Sequence, residues 1–240
     1  MKPIFGTDLM RAVAALCERR LVLIPTETKY VLACNASDEG SVSQLMSVAG
    51  LAGHERPEIF APSFDRLQRF VTDIPPVCAL LADRFTPGLL SFLLPARYSI
   101  SPSLRFPDEK ISIRVPAHPL TQSLLDMCMF PLAVVSMAQG HHTNLTAEEA
   151  ALLVAGQVGY VLDGGPASVG SDATVISFEP EAIVIHKKGA VSARSLEIES
   201  EMFVVNSITP ILPAAEDAMV VPLGLPLAEF QPPHFLGIQE

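Results

Sequence analysis

The chain has 240 residues, of which 49% are hydrophobic and 18% are charged, and its formal net charge is −10. This composition supports a packed core and excludes a disordered chain. No apolar run approaches the roughly 18 residues of a membrane span, and the N-terminus lacks the apolar core of a signal peptide, so we expect a cytoplasmic location and no membrane partner.

Helices and strands alternate along residues 1–195. Apolar residues at helical spacing predict helices over 8–20, 41–48, 63–71, 76–85, 119–129 and 146–155. Thr146 and Glu149 form a capping box at the start of the last of these, and Ser63 is the expected cap of another. Short apolar runs predict strands over 21–24, 58–61, 88–95, 110–116, 132–136, 160–165, 173–178 and 182–186. The interleaving indicates one α/β domain.

The strand that begins at Leu21 is followed by a dense polar segment. It stops at Pro25 and continues into Thr26, Glu27, Thr28, Lys29 and Tyr30. A buried strand that breaks into hydroxyls and charges is how an open α/β sheet presents a binding site at its strand ends. An ordinary loop between two strands is the other interpretation.

Neither the cysteines nor the histidines indicate a metal site. The four cysteines, Cys17, Cys34, Cys78 and Cys128, are widely spaced and are expected to be reduced thiols of the core. Cys34 lies near the polar segment and is either a reactive thiol or, as we favour, a buried core residue. His141 and His142 are adjacent, so their rings cannot easily face one ion. We predict no bound metal.

Residues 7–194 contain seven segments in one order: LVLIPTETKYVLACNA, FTPGLLSFLLP, ISIRVPAHPL, PLAVVSMAQG, TAEEA, VLDGGPASVGSDATVISF and IHKKGAV. In this order they resemble the YrdC-type domain of L-threonylcarbamoyl-AMP synthases. The resemblance implies a YrdC-like twisted open mixed sheet with flanking helices and a concave binding face. It also implies that threonine, bicarbonate and ATP, with Mg²⁺, are condensed to threonylcarbamoyl-AMP and pyrophosphate for the threonylcarbamoyladenosine modification of tRNA.

The resemblance assigns site residues as well. It implies substrate binding by Thr26, Thr28, Tyr30, Arg114 and Ser136, and nucleotide binding by Ser136, Thr174 and Lys187. It identifies no catalytic residue in this chain.

The chain departs from the family pattern at several of these positions. The two cations of a Lys-x-Arg pair fall on Ala49 and Leu51, and Arg56, five residues later, is not expected to reach back. Val31 stands where a glycine is expected, and Lys29 occupies a position that is usually apolar. Each buried phosphate contact that is lost costs about 2–5 kcal/mol, so we expect impaired chemistry.

Smaller departures affect the nucleotide contacts. Met137 and Ala138 follow Ser136 where a Ser-Ala-Asn turn is expected, Ala173 replaces a serine, and Lys187 replaces an arginine. The alternative is a catalytically silent YrdC-like module that binds a nucleotide, a protein, or double-stranded RNA or tRNA. RNA binding requires that five cations share one face: Arg105, Lys110, Arg114, Lys187 and Lys188.

Residues 196–240 form a different kind of segment. They contain seven acids, six prolines and no Lys or Arg, so phosphates would be repelled. The segment is too apolar for a free linker. We predict a Pro-rich acidic extension that packs in extended form on the 1–195 domain, either of its own chain or of a partner in a homodimer.

Overall fold

The computed structural model describes residues 4–51, 55–136, 146–154, 156–168, 171–180 and 182–200, and the backbone of 204–206. Its helices are α1 (Leu9–Cys17), α2 (Glu39–Ala49), α3 (Phe64–Leu67), α4 (Pro76–Phe85), α5 (Pro119–Met127), α6 (Ala147–Leu153) and α7 (Ala193–Ser200). Its strands are β1 (Ile4–Gly6), β2 (Leu21–Pro25), β3 (Tyr30–Asn35), β4 (Glu58–Phe60), β5 (Leu90–Pro95), β6 (Lys110–Arg114), β7 (Leu132–Ser136), β8 (Val158–Leu162), β9 (Thr174–Glu179), β10 (Ala182–Lys187) and β11 (Val204–Asn206). Two short 3₁₀ turns cover Gln68–Phe70 and Pro102–Leu104.

All of these strands belong to one mixed sheet. Their order across the sheet is β1-β8-β2-β3-β7-β4-β6-β5-β9-β10-β11. The sheet contains parallel pairs, such as β4 with β6 and β5 with β9, and antiparallel pairs, such as β5 with β6 and β3 with β7. The predicted fold class, a mixed α/β sheet with flanking helices, is confirmed. In the described part of the chain, no helix is both long enough and apolar enough to cross a membrane.

The sheet separates two hydrophobic cores, and β2 contributes to both because side chains of a strand alternate between faces. Leu21 and Leu23 join the larger core, which is covered by α2, α3, α4, α6 and α7. Val22 and Ile24 join the smaller core, which is covered by α1 and α5. Every residue of β2 is buried, as expected of a strand with helices on both faces.

The same alternation leaves polar side chains on the face opposite the larger core. In β5, Phe92 points into that core whereas Ser91 does not, and in β6, Ile113 points into it whereas Ser112 and Arg114 do not. Helices α1 and α5 cover only one part of this second face. The polar residues of the central strands therefore face a region that the described helices leave open.

Predicted helix starts are confirmed at two sites. Ser63 caps α3 by accepting a hydrogen bond from the Arg66 N–H, and Thr146 and Glu149 form the reciprocal capping box of α6. The cap of α1 is Asp8, which accepts from the Arg11 N–H. These side chains satisfy N–H groups that have no partner within the helix.

The fold continues past residue 195. Helix α7 spans this position, and its Leu196 is fully buried in the larger core. Arg84 of α4 contacts Glu199 at 2.9 Å, and β11 pairs in parallel with β10. Residues 201–203 and 207–240 lie outside the described residues, so the domain boundary and the packing of the extension stay predictions.

Candidate active site

A cavity of about 210 Å³ opens on the polar part of the second face, over β4, β5, β6, β7 and β9. Four cationic side chains and two acidic ones line it: Lys29, Arg56, Arg114 and Lys187, with Glu58 and Asp172. The protein as a whole is acidic, with a net charge of −10. The local excess of cations makes this cavity suited to an anion.

Four of the seven predicted site residues line the cavity. They are Thr28, Arg114, Ser136 and Lys187. The other three, Thr26, Tyr30 and Thr174, are buried beside it, and their hydroxyls bond to the protein itself. Met137 and Ala138, which follow Ser136, lie outside the described residues, as do His141 and His142.

Thr26 and Tyr30 hold the loop between β2 and β3. The Thr26 hydroxyl donates to the Lys29 carbonyl at 2.6 Å and accepts from the Lys29 N–H at 3.1 Å, which closes the turn. The Tyr30 hydroxyl donates to the Gly165 carbonyl at 2.9 Å and accepts from the Gly164 N–H at 3.0 Å. Burial raises the pKa of Tyr30 to about 12. Both side chains therefore position the loop that carries Thr28 and Lys29.

Arg114 forms a buried ion pair at the cavity wall. Its Nη2 lies 2.5 Å from Glu27 Oε1, its Nε donates to the Gly88 carbonyl at 2.9 Å, and its guanidinium lies over the Phe60 ring at 5.7 Å. Glu27 also accepts from the Ala117 N–H at 3.3 Å. This pairing fixes the guanidinium plane, and it also means that an anionic ligand would share Arg114 with Glu27.

Lys29, which the resemblance marks as unusual, contacts Asp172. The Lys187 ammonium lies 2.6 Å from the other oxygen of the same carboxylate. Burial acts to raise the pKa of Asp172, but the hydrogen bonds and positive charges of Lys187 and Lys29 outweigh it and hold this pKa below its usual value. One carboxylate thus lies between two ammonium groups.

The backbone around Asp172 is held by the segment after β10. The Ala190 N–H donates to the Asp172 carbonyl, and a Cβ on Gly189 would lie 2.3 Å from that carbonyl oxygen, so only glycine fits here. The Thr174 hydroxyl donates to the Val191 carbonyl at 2.7 Å. These contacts bring Lys187 and Asp172 together.

The two positions where the Lys-x-Arg pair was expected, Ala49 and Leu51, do not line the cavity. Ala49 and Leu51 pack against the larger core. Arg56, by contrast, lines the cavity, where its Nε donates to the Arg105 carbonyl at 2.6 Å; whether it replaces a phosphate contact of the pair stays a prediction. Val31, which stands in place of the expected glycine, is part of the cavity wall.

Ser91 contributes a hydroxyl that sequence reasoning missed. It lines the cavity, it is 1% exposed, and its Oγ has no hydrogen-bond partner among the described residues. Most buried polar groups in folded proteins are paired. The signal in the sequence was a single serine within the apolar run LLSFLLP.

The thiols take no part in this site. Cys34, Cys78 and Cys128 are buried and free, as predicted, whereas Cys17 is exposed. Burial raises the pKa of Cys34 to about 12, which keeps it protonated. Within the described ranges, no group of three His, Cys, Asp or Glu side chains could hold a metal ion.

The mixed sheet with flanking helices defines this chain as an α/β domain, and the open face of that sheet carries a cavity with more cationic than acidic side chains. The family described as "Telomere recombination" (Sua5/YciO/YrdC) matches residues 14–189. The chain belongs to this family.

Relatives and solved structures agree with this assignment. The threonylcarbamoyl-AMP synthase of Bacillus subtilis is 28% identical over 192 residues, which are 79% of this chain and 56% of that protein. The synthase of Pyrococcus abyssi is 28% identical over 187 residues, 78% of this chain and 55% of that protein. This chain therefore spans about half the length of these relatives.

A crystal structure of P. abyssi Sua5 complexed with L-threonine superposes with a TM-score of 0.76 at 26% identity, covering 85% of this chain and 62% of that one. E. coli YciO superposes with a TM-score of 0.69 at 20% identity, covering 81% and 98%, and is a likeness of fold alone. The predicted YrdC-like fold is confirmed.

Proposed function

We propose that this domain carries out the threonylcarbamoyl-AMP synthase reaction at a reduced rate. It would condense threonine, bicarbonate and ATP, the last bound as its Mg²⁺ complex, for the threonylcarbamoyladenosine modification of tRNA. The observation that carries the proposal is the cavity, where four cationic side chains outnumber two acidic ones in an acidic protein. Relatives named as synthases, one of them solved with L-threonine, support it.

The chemistry requires positive charge beside the phosphates. In the proposed reaction the threonine nitrogen bonds to the carbon of bicarbonate, a C–O bond breaks and water leaves, and an oxygen of the resulting carbamate attacks the α-phosphorus of ATP. The bond from that phosphorus to the bridging oxygen breaks, and pyrophosphate leaves with the electron pair. Cations that neutralise the growing charge on pyrophosphate stabilise this transition state, and Arg114 and Lys187 are the predicted site residues that supply them.

The reduced rate follows from Ala49 and Leu51. Apolar side chains stand where two phosphate-binding cations are expected, and each lost contact costs about 2–5 kcal/mol when buried. Since about 1.4 kcal/mol is a factor of ten in rate, turnover is expected to fall by several powers of ten.

The catalytically silent alternative gains no support from the basic residues. Arg105 and Lys110, which do not line the cavity, pair with Glu109 and Asp108. Neutralised cations attract RNA phosphates weakly. Binding of double-stranded RNA or tRNA and formation of a homodimer stay predictions.

The test is pyrophosphate release in the presence of threonine, bicarbonate, ATP and Mg²⁺. We expect slow release that requires threonine, is lost in Lys187→Met and persists in Lys188→Met, a matched control because Lys188 is exposed. A rate equal to that of the B. subtilis synthase would contradict the impairment. Release that is absent, or that is equal in the two variants, would contradict the synthase assignment of this cavity.

A further inference from the structure

Lys29 is an unusual residue for a buried loop. Its side chain is 8% exposed, and its ammonium contacts Asp172, a carboxylate that also holds Lys187 at 2.6 Å. Burying an ammonium is costly unless it is paired. A single carboxylate neutralises only one of the two ammonium groups, so this cluster retains one positive charge.

The retained charge lies in the cavity. Lys29, Asp172 and Lys187 all line it. The other charged residues of the described lining are Arg56, Arg114 and Glu58, so the one further acid, which accepts a hydrogen bond from Ser112, is outnumbered by two further cations. An anion entering the cavity would find two ammonium groups already held side by side.

A second, independent observation points to a ligand at this place. The Ser91 hydroxyl is 1% exposed, lines the same cavity and has no partner within the described part of the chain. A buried hydroxyl without a partner destabilises the folded state, and a ligand oxygen could remove this cost by accepting its hydrogen bond. The cavity therefore presents both charge and an unused donor.

We propose that Lys29 and Lys187, bridged by Asp172, form an anion-binding pair for the diphosphate end of a nucleotide, with the Ser91 hydroxyl as a further contact. The inference rests on the proposed function in that it names the part of ATP which this cluster takes. It assigns to Lys29 a positive, phosphate-binding charge of the kind that Ala49 and Leu51 cannot supply.

In this arrangement Asp172 competes with the ligand. It holds the two ammonium groups in place while the cavity is empty of anions, and a phosphate must share them with it. Removing its charge should therefore weaken the folded state but strengthen anion binding. If the cluster had a merely structural role, removing the Asp172 charge would instead weaken anion binding, because it would only disorder the cavity.

The test is calorimetric titration of inorganic pyrophosphate into the full chain without Mg²⁺. We expect Lys29→Met to weaken binding by about tenfold or more, as for loss of a charge-assisted contact, while Lys188→Met leaves it unchanged. We expect Asp172→Asn to bind more tightly than the wild type and to melt at a lower temperature. Raising the salt concentration should weaken wild-type binding.

Three results would overturn the inference: no pyrophosphate binding by the wild type, equal binding by Lys29→Met and the wild type, or weaker binding by Asp172→Asn. Circular dichroism of each variant establishes that it is folded. The result of the pyrophosphate titration can be distinguished from the result of the synthase assay. Lys29-dependent binding without threonine-dependent release would refute only the proposed function, and release that is insensitive to Lys29→Met would refute only this inference.

Discussion

The buried ion pair of Arg114 and Glu27 allows a quantitative prediction. Their side chains are 5% and 11% exposed, and the charged atoms are 2.5 Å apart. Arg114→Met keeps an apolar stem over the Phe60 ring but leaves the Glu27 carboxylate with the Ala117 N–H as its remaining hydrogen-bond donor among the described residues. Removing one partner of a buried pair costs about 3–5 kcal/mol, because the other charge stays buried without compensation.

The assays are urea unfolding and thermal unfolding at pH 7, both followed by circular dichroism. For a chain of this size, a loss of about 3–5 kcal/mol lowers the melting temperature by roughly 6–20 °C. The double variant Glu27→Gln, Arg114→Met removes both charges and should recover most of the lost free energy. Arg84→Met is the matched control, because Arg84 is 65% exposed in its pair with Glu199, and we expect it to cost about 1 kcal/mol or less.

Two results would refute this reasoning. One is a loss in Arg114→Met as small as that in Arg84→Met, and the other is a double variant no more stable than Arg114→Met. If the prediction holds, Arg114→Met is a poor probe of ligand binding, since the variant loses stability as well as a possible ligand contact. The Lys187 and Lys188 variants are then the better pair for binding studies.

Three further predictions concern single side chains. Burial and the nearby Lys110 lower the pKa of His186 from 6.5 to about 4, so the unfolded chain takes up a proton more readily than the folded one. The contribution of His186 to the free energy of unfolding is therefore complete above pH 6.5, and about 3 kcal/mol of it is lost as the pH falls toward 4. Urea titrations at several pH values should find a smaller loss in His186→Gln. Ser91→Ala should raise the free energy of unfolding by about 1 kcal/mol, because it removes an unpaired buried hydroxyl, yet should weaken pyrophosphate binding. A thiol reagent should label one cysteine rapidly, Cys17, and the other three only after unfolding.

Each of these three predictions can be contradicted by a specific result. If the free energy of unfolding depends on pH equally in the wild type and in His186→Gln, His186 is not the source of the stability lost at low pH. Destabilisation by Ser91→Ala would mean that its hydroxyl has a partner in solution. Rapid labelling of more than one thiol in the native protein would contradict the burial of the other cysteines.

Local patterns in the sequence were sufficient for most of the fold. The apolar run at Leu21 and the capping box at Thr146 depend on neighbours within a few residues, so they could be identified without the structure. Strand β1 was missed because it has three residues, and Ile4 and Phe5 are exposed. Its pairing partner β8 is distant in the chain.

The site was predicted less completely, because its contacts also join residues that are distant in the chain. The pairing of Lys29 with Asp172 joins residues far apart in the chain, and no local pattern signals it. The contact of Arg56 with the cavity likewise depends on how the segment before β4 crosses the sheet. Thr26 and Tyr30 belong to the motif that carries the resemblance, but a motif does not distinguish a ligand contact from a residue that holds the loop.

The central claim is that this cavity performs synthase chemistry at a reduced rate. It is tested most directly by mass spectrometry of a reaction containing threonine, ATP, Mg²⁺ and isotopically labelled bicarbonate. We predict threonylcarbamoyl-AMP that carries the label, formed slowly by the wild type and by Lys188→Met, and not formed by Lys187→Met. Absence of labelled product after prolonged incubation of folded protein would contradict the claim and favour a catalytically silent binding module.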